Sequence, residues 1–219
     1  MKRFYLLLGS VAVIGGGLLL YAARKRPAAS TVPVGPAPAA AADGFRGYTL
    51  GSAAAPVEVT EYSDFECPYC ARFASVQMPA IREQLIATGK VRWRYRDFPL
   101  PSHQYARYAA LAAQCAGAQG KFWEMHDQVF FNHSWAQTGK HPRGLFRDFA
   151  KSFGLNLDDY DACMDSQRYA GWIEASRQEG EALGVGGTPT FFVNGRQYKG
   201  PPTSDAFKAL ADSLTPRAK

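Results

Sequence analysis

The 219-residue chain carries 25 Lys and Arg against 19 Asp and Glu, a formal charge of +6. Lys2, Arg3, Arg24, Lys25 and Arg26 hold five of those positive charges, and every acidic residue lies after them, so from Pro27 onward 20 basic residues face 19 acidic ones, a balance of +1. A nearly neutral body gives no support to a nucleic-acid surface, and its length suits one domain with a real core.

Phe4 to Ala23 contains no charge and is mostly Leu, Val, Ile, Gly and Ala, about the length that spans a bilayer. A secretory signal would have a shorter apolar run with a small-residue site close behind it. Tyr21-Ala22-Ala23 is a poor site, and Ala40-Ala41-Ala42 lies far downstream. Residues 1–26 therefore read as an uncleaved signal anchor, with a cleaved, soluble protein as the alternative. Basic residues flank the run on both sides, so charge counting does not orient it. Pro27 to Asp43 is rich in Pro and Ala and nearly uncharged, and residues 27–47 read as an extended tether. The body, 48–219, is expected outside the cytoplasm, on the periplasmic or cell-surface side, because its cysteine usage favours export.

The first strand runs from Val57 to Phe65. Tyr69 to Thr88 is helical, with Phe73, Val76, Ala80, Ile81 and Leu85 on its apolar side. Pro79 should kink or restart that helix, and Gly89 should stop it. Val91 to Phe98 is a second strand, ended by Pro99 and Pro101. Arg92, Arg94 and Arg96 alternate along it and read as a solvated face. From Ser102 to Leu183 the pattern is helical: Tyr105 to Ala118, Phe122 to Phe131, Leu145 to Phe153, Leu157 to Met164 and Tyr169 to Leu183. Phe122, Trp123, Met125 and Phe130 read as core. The polar stretch from His133 to Pro142 reads as an exposed loop. Strand signals return at Thr190 to Val193. Asn194-Gly195 is a two-residue hairpin turn, so Arg196 to Lys199 should pair back. Thr203 to Leu214 closes as an amphipathic helix capped by Thr203 or Ser204. The class is α/β, with a helical block of about 102–184 inserted between the halves of a small sheet.

The most informative run is Glu61-Tyr-Ser-Asp-Phe-Glu-Cys67-Pro68-Tyr69-Cys70. A strand that ends where a helix starts with a cysteine is a redox device. The helix N-terminus leaves N–H groups unpaired and carries partial positive charge, which favours a thiolate. Pro68 suits the first helical position, where its missing N–H is not needed. The competing readings are half a zinc site or a static bridge. Zinc would need two further Cys or His ligands, and His103, His126, His133 and His141 show no paired ligand spacing. Cys115 and Cys163 are either a second disulfide or two buried free thiols; the even count and the export-like start favour the bridge. Glu61 is either a buried acid or an exposed strand residue.

This order, together with Asp64-Phe65-Glu66-Cys67-Pro68-Tyr69-Cys70, Gly187-Thr188-Pro189-Thr190-Phe191-Phe192-Val193-Asn194-Gly195 and Gln119-Gly120-Lys121-Phe122-Trp123-Glu124-Met125-His126, resembles the thioredoxin-fold disulfide oxidoreductases of the DsbA type over roughly residues 48 to 214. The resemblance implies a thioredoxin fold with an all-helical insertion. It makes Cys67 the exposed, attacked sulfur of a redox-active disulfide and Cys70 its shielded partner. Glu61 becomes a buried acid that assists proton transfer to and from Cys70. The Thr188–Pro189 bond becomes cis beside the disulfide, with the Thr188 backbone open to an extended substrate. Some DsbA-like proteins also carry a second bridge in the region of Cys115 and Cys163. Pro-Tyr replaces the usual Pro-His between the cysteines here. The lost histidine, and Glu66 next to Cys67, should weaken the thiolate and make the protein less oxidising than the strongest members.

The expected activity is the introduction of disulfides into reduced or unfolded exported polypeptides, with no metal and no organic cofactor. Reoxidation would fall to a membrane partner of the DsbB or VKOR type. Alternatives are an extracytoplasmic reductase or isomerase, for example in cytochrome c maturation, and a membrane-tethered metal carrier or chaperone.

Overall fold

Alternation along two parallel strands organises the molecule. In β2 (Val57–Ser63) and β3 (Val91–Asp97) every second residue points to one face. The structure, a computed structural model, describes residues 47–215. The anchor expected over 1–26 and nearly all of the tether expected over 27–47 lie outside the described residues. No helix among the described residues is long and apolar enough to cross a membrane.

The sheet has the order β1-β3-β2-β4-β5, with β1 spanning Tyr48–Leu50, β4 Thr190–Val193 and β5 Arg196–Tyr198. Only β2 and β3 are parallel; the other neighbours are antiparallel. The register sets Glu61 beside Tyr95 and Ser63 beside Asp97 on one side, and Glu61 beside Phe191 on the other. Asn194 and Gly195 turn the β4–β5 hairpin with φ of 47° and 76°, the sign a tight hairpin turn demands at both positions. The edge strand β1 escapes sequence reading because three residues are too few to show a period. It pairs with β3, and Tyr48 stacks on Phe122 at 3.8 Å between ring centroids.

Helix α1 (Pro68–Val76) breaks at Gln77 and restarts as α2 (Met78–Ile81), which runs into a π-helical turn over Arg82–Ile86. Pro79 thus restarts the helix: its ring crowds the turn before it, and the break falls there. Between β3 and β4 lie α3 (Ala106–Gly117), α4 (Phe122–Phe131), α5 (Arg143–Ser152), α6 (Leu157–Asp165) and α7 (Ala170–Ala182). Helix α8 (Ser204–Leu214) follows β5, with the Thr203 hydroxyl accepting the Ala206 N–H at its start.

Val57, Val59, Trp93, Phe191 and Val193 pack with Phe73 of α1 and Phe207 of α8 in one core cluster. A larger cluster joins Phe65, Cys70 and Tyr95 to the inserted helices, with Phe122, Met125 and Phe130 buried in it and Trp123 at its margin. The exposed loop expected over His133 to Pro142 needs correction. Residues His133–Gln137 form a 3₁₀ turn that buries Trp135, whose indole N–H donates to the Val129 carbonyl at 3.0 Å. Burying one large aromatic ring outweighs the polarity of its neighbours.

The arginine stripe is likewise not a freely solvated face. Arg94 pairs with Glu58 at 2.7 Å, while Arg96 is buried and pairs with Glu179 of α7. Helix α7 approaches this face closely at Gly180, where an added Cβ would lie 2.6 Å from the Phe98 ring and 3.0 Å from that of Tyr62. Both rings are buried and have little room to yield. Gly180→Ala is expected to destabilise the fold by about 1–3 kcal/mol through overpacking. Urea unfolding checks this; an unchanged midpoint would show that α7 can move away without cost.

Candidate active site

The turn from β2 into α1 is built by Asp64. Its carboxylate accepts the Glu66 N–H at 2.7 Å, the Leu100 N–H at 2.7 Å and the His103 ring at 2.7 Å, while its carbonyl accepts the Cys67 N–H at 3.1 Å. A short polar side chain bonding the backbone two residues on is what lets a chain leave a strand and enter a helix at once. Cys67 thereby sits at the cap position, with Pro68 in the first turn. Sequence reasoning missed Asp64 and His103. The Asp64-x-Glu66 spacing was the available signal for the first; nothing local marked the second.

Cys67 and Cys70 are both free thiols and both buried, at 3% and 0% exposure. The expectation of an exposed Cys67 is therefore corrected. The loop before β4 folds over the helix start, and the Cys67 thiol donates to the Thr188 carbonyl at 3.3 Å. The Thr188–Pro189 bond is cis. The two sulfurs differ sharply in charge preference. A hydrogen bond from Cys70 lowers the Cys67 pKa, burial opposes it, and Thr188 with the backbone N–H groups of Cys70 and Tyr69 lowers it further, to about 5. Burial, reinforced by the Cys67 sulfur, pushes Cys70 well above the ordinary thiol range. The Glu66 carboxylate, next to Cys67 in sequence, accepts the Tyr105 N–H at 2.6 Å at the start of α3. His103 is held up in pKa mainly by its bond to Asp64, with Glu66 and Cys67 adding to the effect.

Glu61 lies on the same sheet face beneath the helix start and is buried. The Trp93 indole N–H donates to it at 3.0 Å. Burial raises its pKa to about 7 against the opposing effects of Ser63, Trp93 and Arg82, so it holds or releases a proton near neutrality. The Ser63 hydroxyl favours the ionised forms of both Glu61 and Cys70.

Beside the dithiol runs a groove of about 390 Å³, bordered by Tyr69, Arg72, Phe73, Thr188, Pro189 and Pro202. Tyr69 is 71% exposed on its rim. Cys115 of α3 and Cys163 of α6 form a buried disulfide with an S–S distance of 2.02 Å. Among the described residues no group of three His, Cys, Asp or Glu side chains converges as a metal site would require.

A stabilised thiolate at a helix start, a shielded second thiol and a buried acid of near-neutral pKa define a thiol–disulfide oxidoreductase on a thioredoxin sheet. A thioredoxin family model matches residues 46–213, and the chain belongs to that family, in its DsbA-like branch. The crystal structure of oxidised BdbD from Bacillus subtilis is similar with a TM-score of 0.69 and 26% identity, covering 76% of this chain and 91% of that one. Alpha-DsbA1 of Wolbachia pipientis shares the fold, with a TM-score of 0.64 at 24% identity over 76% of this chain and 89% of its own. A Rickettsia typhi protein provisionally named a protein-disulfide oxidoreductase is 28% identical over 78% of this chain and 63% of its own length. A Salinispora tropica protein named Na(+)/H(+) antiporter NhaA 3 is 40% identical over 81% of this chain, which spans only 26% of that protein.

Proposed function

We propose that this protein is an extracytoplasmic thiol oxidase that introduces disulfides into reduced exported polypeptides. A substrate thiolate attacks the Cys67 sulfur of the oxidised pair, and Cys70 leaves. A second substrate thiolate then attacks the substrate sulfur of the mixed disulfide and releases Cys67 as a thiolate. The observation that carries this reading is Cys67 at the start of α1, with its sulfur 3.3 Å from the Thr188 carbonyl, beside a fully buried Cys70, a setting that lowers the Cys67 pKa. A thiolate stabilised in the reduced state makes the disulfide easier to reduce, and hence a stronger oxidant. The groove beside Pro189, with apolar rings and an exposed Tyr69, supports binding of an unfolded chain next to the sulfur. Residues 1–26 would tether the domain to the membrane, and a quinone-linked partner of DsbB or VKOR type would restore the disulfide. The antiporter name of the Salinispora relative belongs to a much longer protein, of which this chain spans only 26%.

Equilibration of the Cys67–Cys70 pair with glutathione tests the direction of flow. The expected midpoint is about −180 mV or higher, the range of oxidising and isomerising members of the fold. A midpoint near about −270 mV, the thioredoxin range, would assign reductive flow instead.

A further inference from the structure

Four buried polar atoms beneath the active-site helix lack a hydrogen-bond partner of good geometry, the Ser63 hydroxyl, the Tyr95 phenol, Asp97 Oδ1 and Gln114 Oε1, although the Ser63 hydroxyl lies close enough to Glu61 and Cys70 to favour their ionised forms. They belong to one buried cluster. Ser63 and Asp97 are register neighbours on β2 and β3, as are Glu61 and Tyr95, and the period of two puts all four side chains on the same face. Burial, and then the charges of Asp97, Glu61, Cys70 and Asp64, act on the phenol of Tyr95, which places these groups in its neighbourhood. Gln114 of α3 closes the far side, donating to Asp97 Oδ2 at 2.6 Å. Ser63, Tyr95, Asp97 and Gln114 are all buried, like Glu61 and Cys70. An unpartnered buried polar atom is costly, and an apolar cluster of this shape would be more stable. Hydroxyls free to turn between two acids and a sulfur are, however, what proton transfer needs.

We propose that Asp97, at the end of β3, is a second proton-carrying positioning acid of this site, exchanging its proton with the Cys70 sulfur through the Ser63 hydroxyl, in parallel with Glu61. The inference rests on the oxidoreductase reading and adds a residue to it. When a substrate thiolate attacks Cys67, the new sulfur–sulfur bond forms there, the Cys67–Cys70 bond breaks, and its electron pair stays on Cys70. Burial disfavours that anion. Ser63 gives its hydroxyl proton to Cys70 and receives one from Asp97. The carboxylate left behind keeps the Gln114 N–H. On reoxidation Cys70 returns the proton by the same path, so the cycle closes without another donor. Burial raises the Asp97 pKa to about 7, with Gln114 and Arg96 lowering it and Asp64 raising it, so the acid can both give and take a proton near neutrality. The other titratable groups facing it are Tyr48 on β1 and, across the Tyr95 ring, His126 on α4.

The test is the rate at which dithiothreitol opens the disulfide of the oxidised full-length protein from pH 5 to 9, normalised to the thiolate form of the reagent. In the unaltered protein the normalised rate should fall as the pH rises through about 7, where both acids lose their protons. Asp97→Asn should lower the acid-side plateau about tenfold and leave only the limb of Glu61; adding Glu61→Gln should flatten the profile. Gln114→Met removes the same hydrogen bond but keeps the acid. It should keep the plateau and move the limb to higher pH, because the lost bond favoured the carboxylate. An Asp97→Asn profile that matches the unaltered protein overturns the proposal. So does a Gln114→Met protein that loses the plateau, which would make Asp97 a structural partner only. If Asp97→Asn does not fold, the direction of the Gln114→Met shift still decides. If the unaltered protein does not react with dithiothreitol, the oxidoreductase reading itself falls.

Discussion

Cys67→Ser is expected to lose thiol–disulfide exchange with a reduced peptide, by on the order of a thousandfold or more, because the attacked sulfur is gone. Cys70→Ser should behave differently. Its Cys67 thiolate still attacks a disulfide-bonded peptide, joining one substrate sulfur while the other leaves as a thiolate, but no intramolecular thiol can release the product, so substrate-linked protein should accumulate on non-reducing gels. The asymmetry follows from the two pKa directions: Cys67 is lowered to about 5 from 9.0, and Cys70 is raised. Alkylation of the reduced protein should therefore show a thiolate whose reactivity rises through about pH 5, one sulfur reacting far ahead of the other. The sign for redox behaviour is fixed by the same shift. A thiol whose folded pKa is depressed stabilises the reduced protein fully above pH 9, and that contribution fades as the pH falls through about 5. Oxidising power should accordingly decline toward pH 5. Normal oxidation by Cys67→Ser, or equal alkylation of both sulfurs at pH 6, would show that the nucleophile is misassigned.

Much of this site was legible because its signals are local. Cys67 at a strand-to-helix junction, Pro68 behind it, and Thr188-Pro189 entering a strand all lie in short runs whose backbone meaning is strong. The strand at Thr190–Val193 and the helix at Phe122–Phe131 fall where their patterns put them. What escaped reading depends on contacts far apart in sequence. Asp64 meets Leu100 and His103, and Glu66 meets Tyr105, only after the loop behind β3 folds back over the helix start. Asp97 gave no local signal at all, since an acid at a strand end reads as a solvated turn residue. Trp135 was hidden by polar neighbours, and β1 by its brevity. In each case the deciding energy is burial or a long-range hydrogen bond, which no window of sequence contains.

Removing the second cysteine pair, as Cys115→Ala with Cys163→Ala, is expected to lower stability by about 2–4 kcal/mol. The sulfurs close a loop whose ends are 48 residues apart, joining α3 to α6 across the insertion. In the chain-entropy account, restraining such a loop in the unfolded chain contributes about 4 kcal/mol, and real cases commonly fall somewhat short. The loss is large against a typical domain stability of about 5–15 kcal/mol. It should appear as a melting temperature lower by roughly 4–16 °C for a domain of this size. Burial supplies a second readout. Cys115 and Cys163 pack in the same apolar cluster as Tyr160, Phe146 and Ile173, so a mild reductant should open the Cys67–Cys70 pair and leave theirs intact. Labelling under native conditions after such treatment should count two cysteines, and four only after reduction of the unfolded protein. An unchanged melting temperature in the double variant would show that packing of α3 on α6 holds the insertion together without the bond. Four labelled cysteines in the native protein before any reduction would show that the bond does not form.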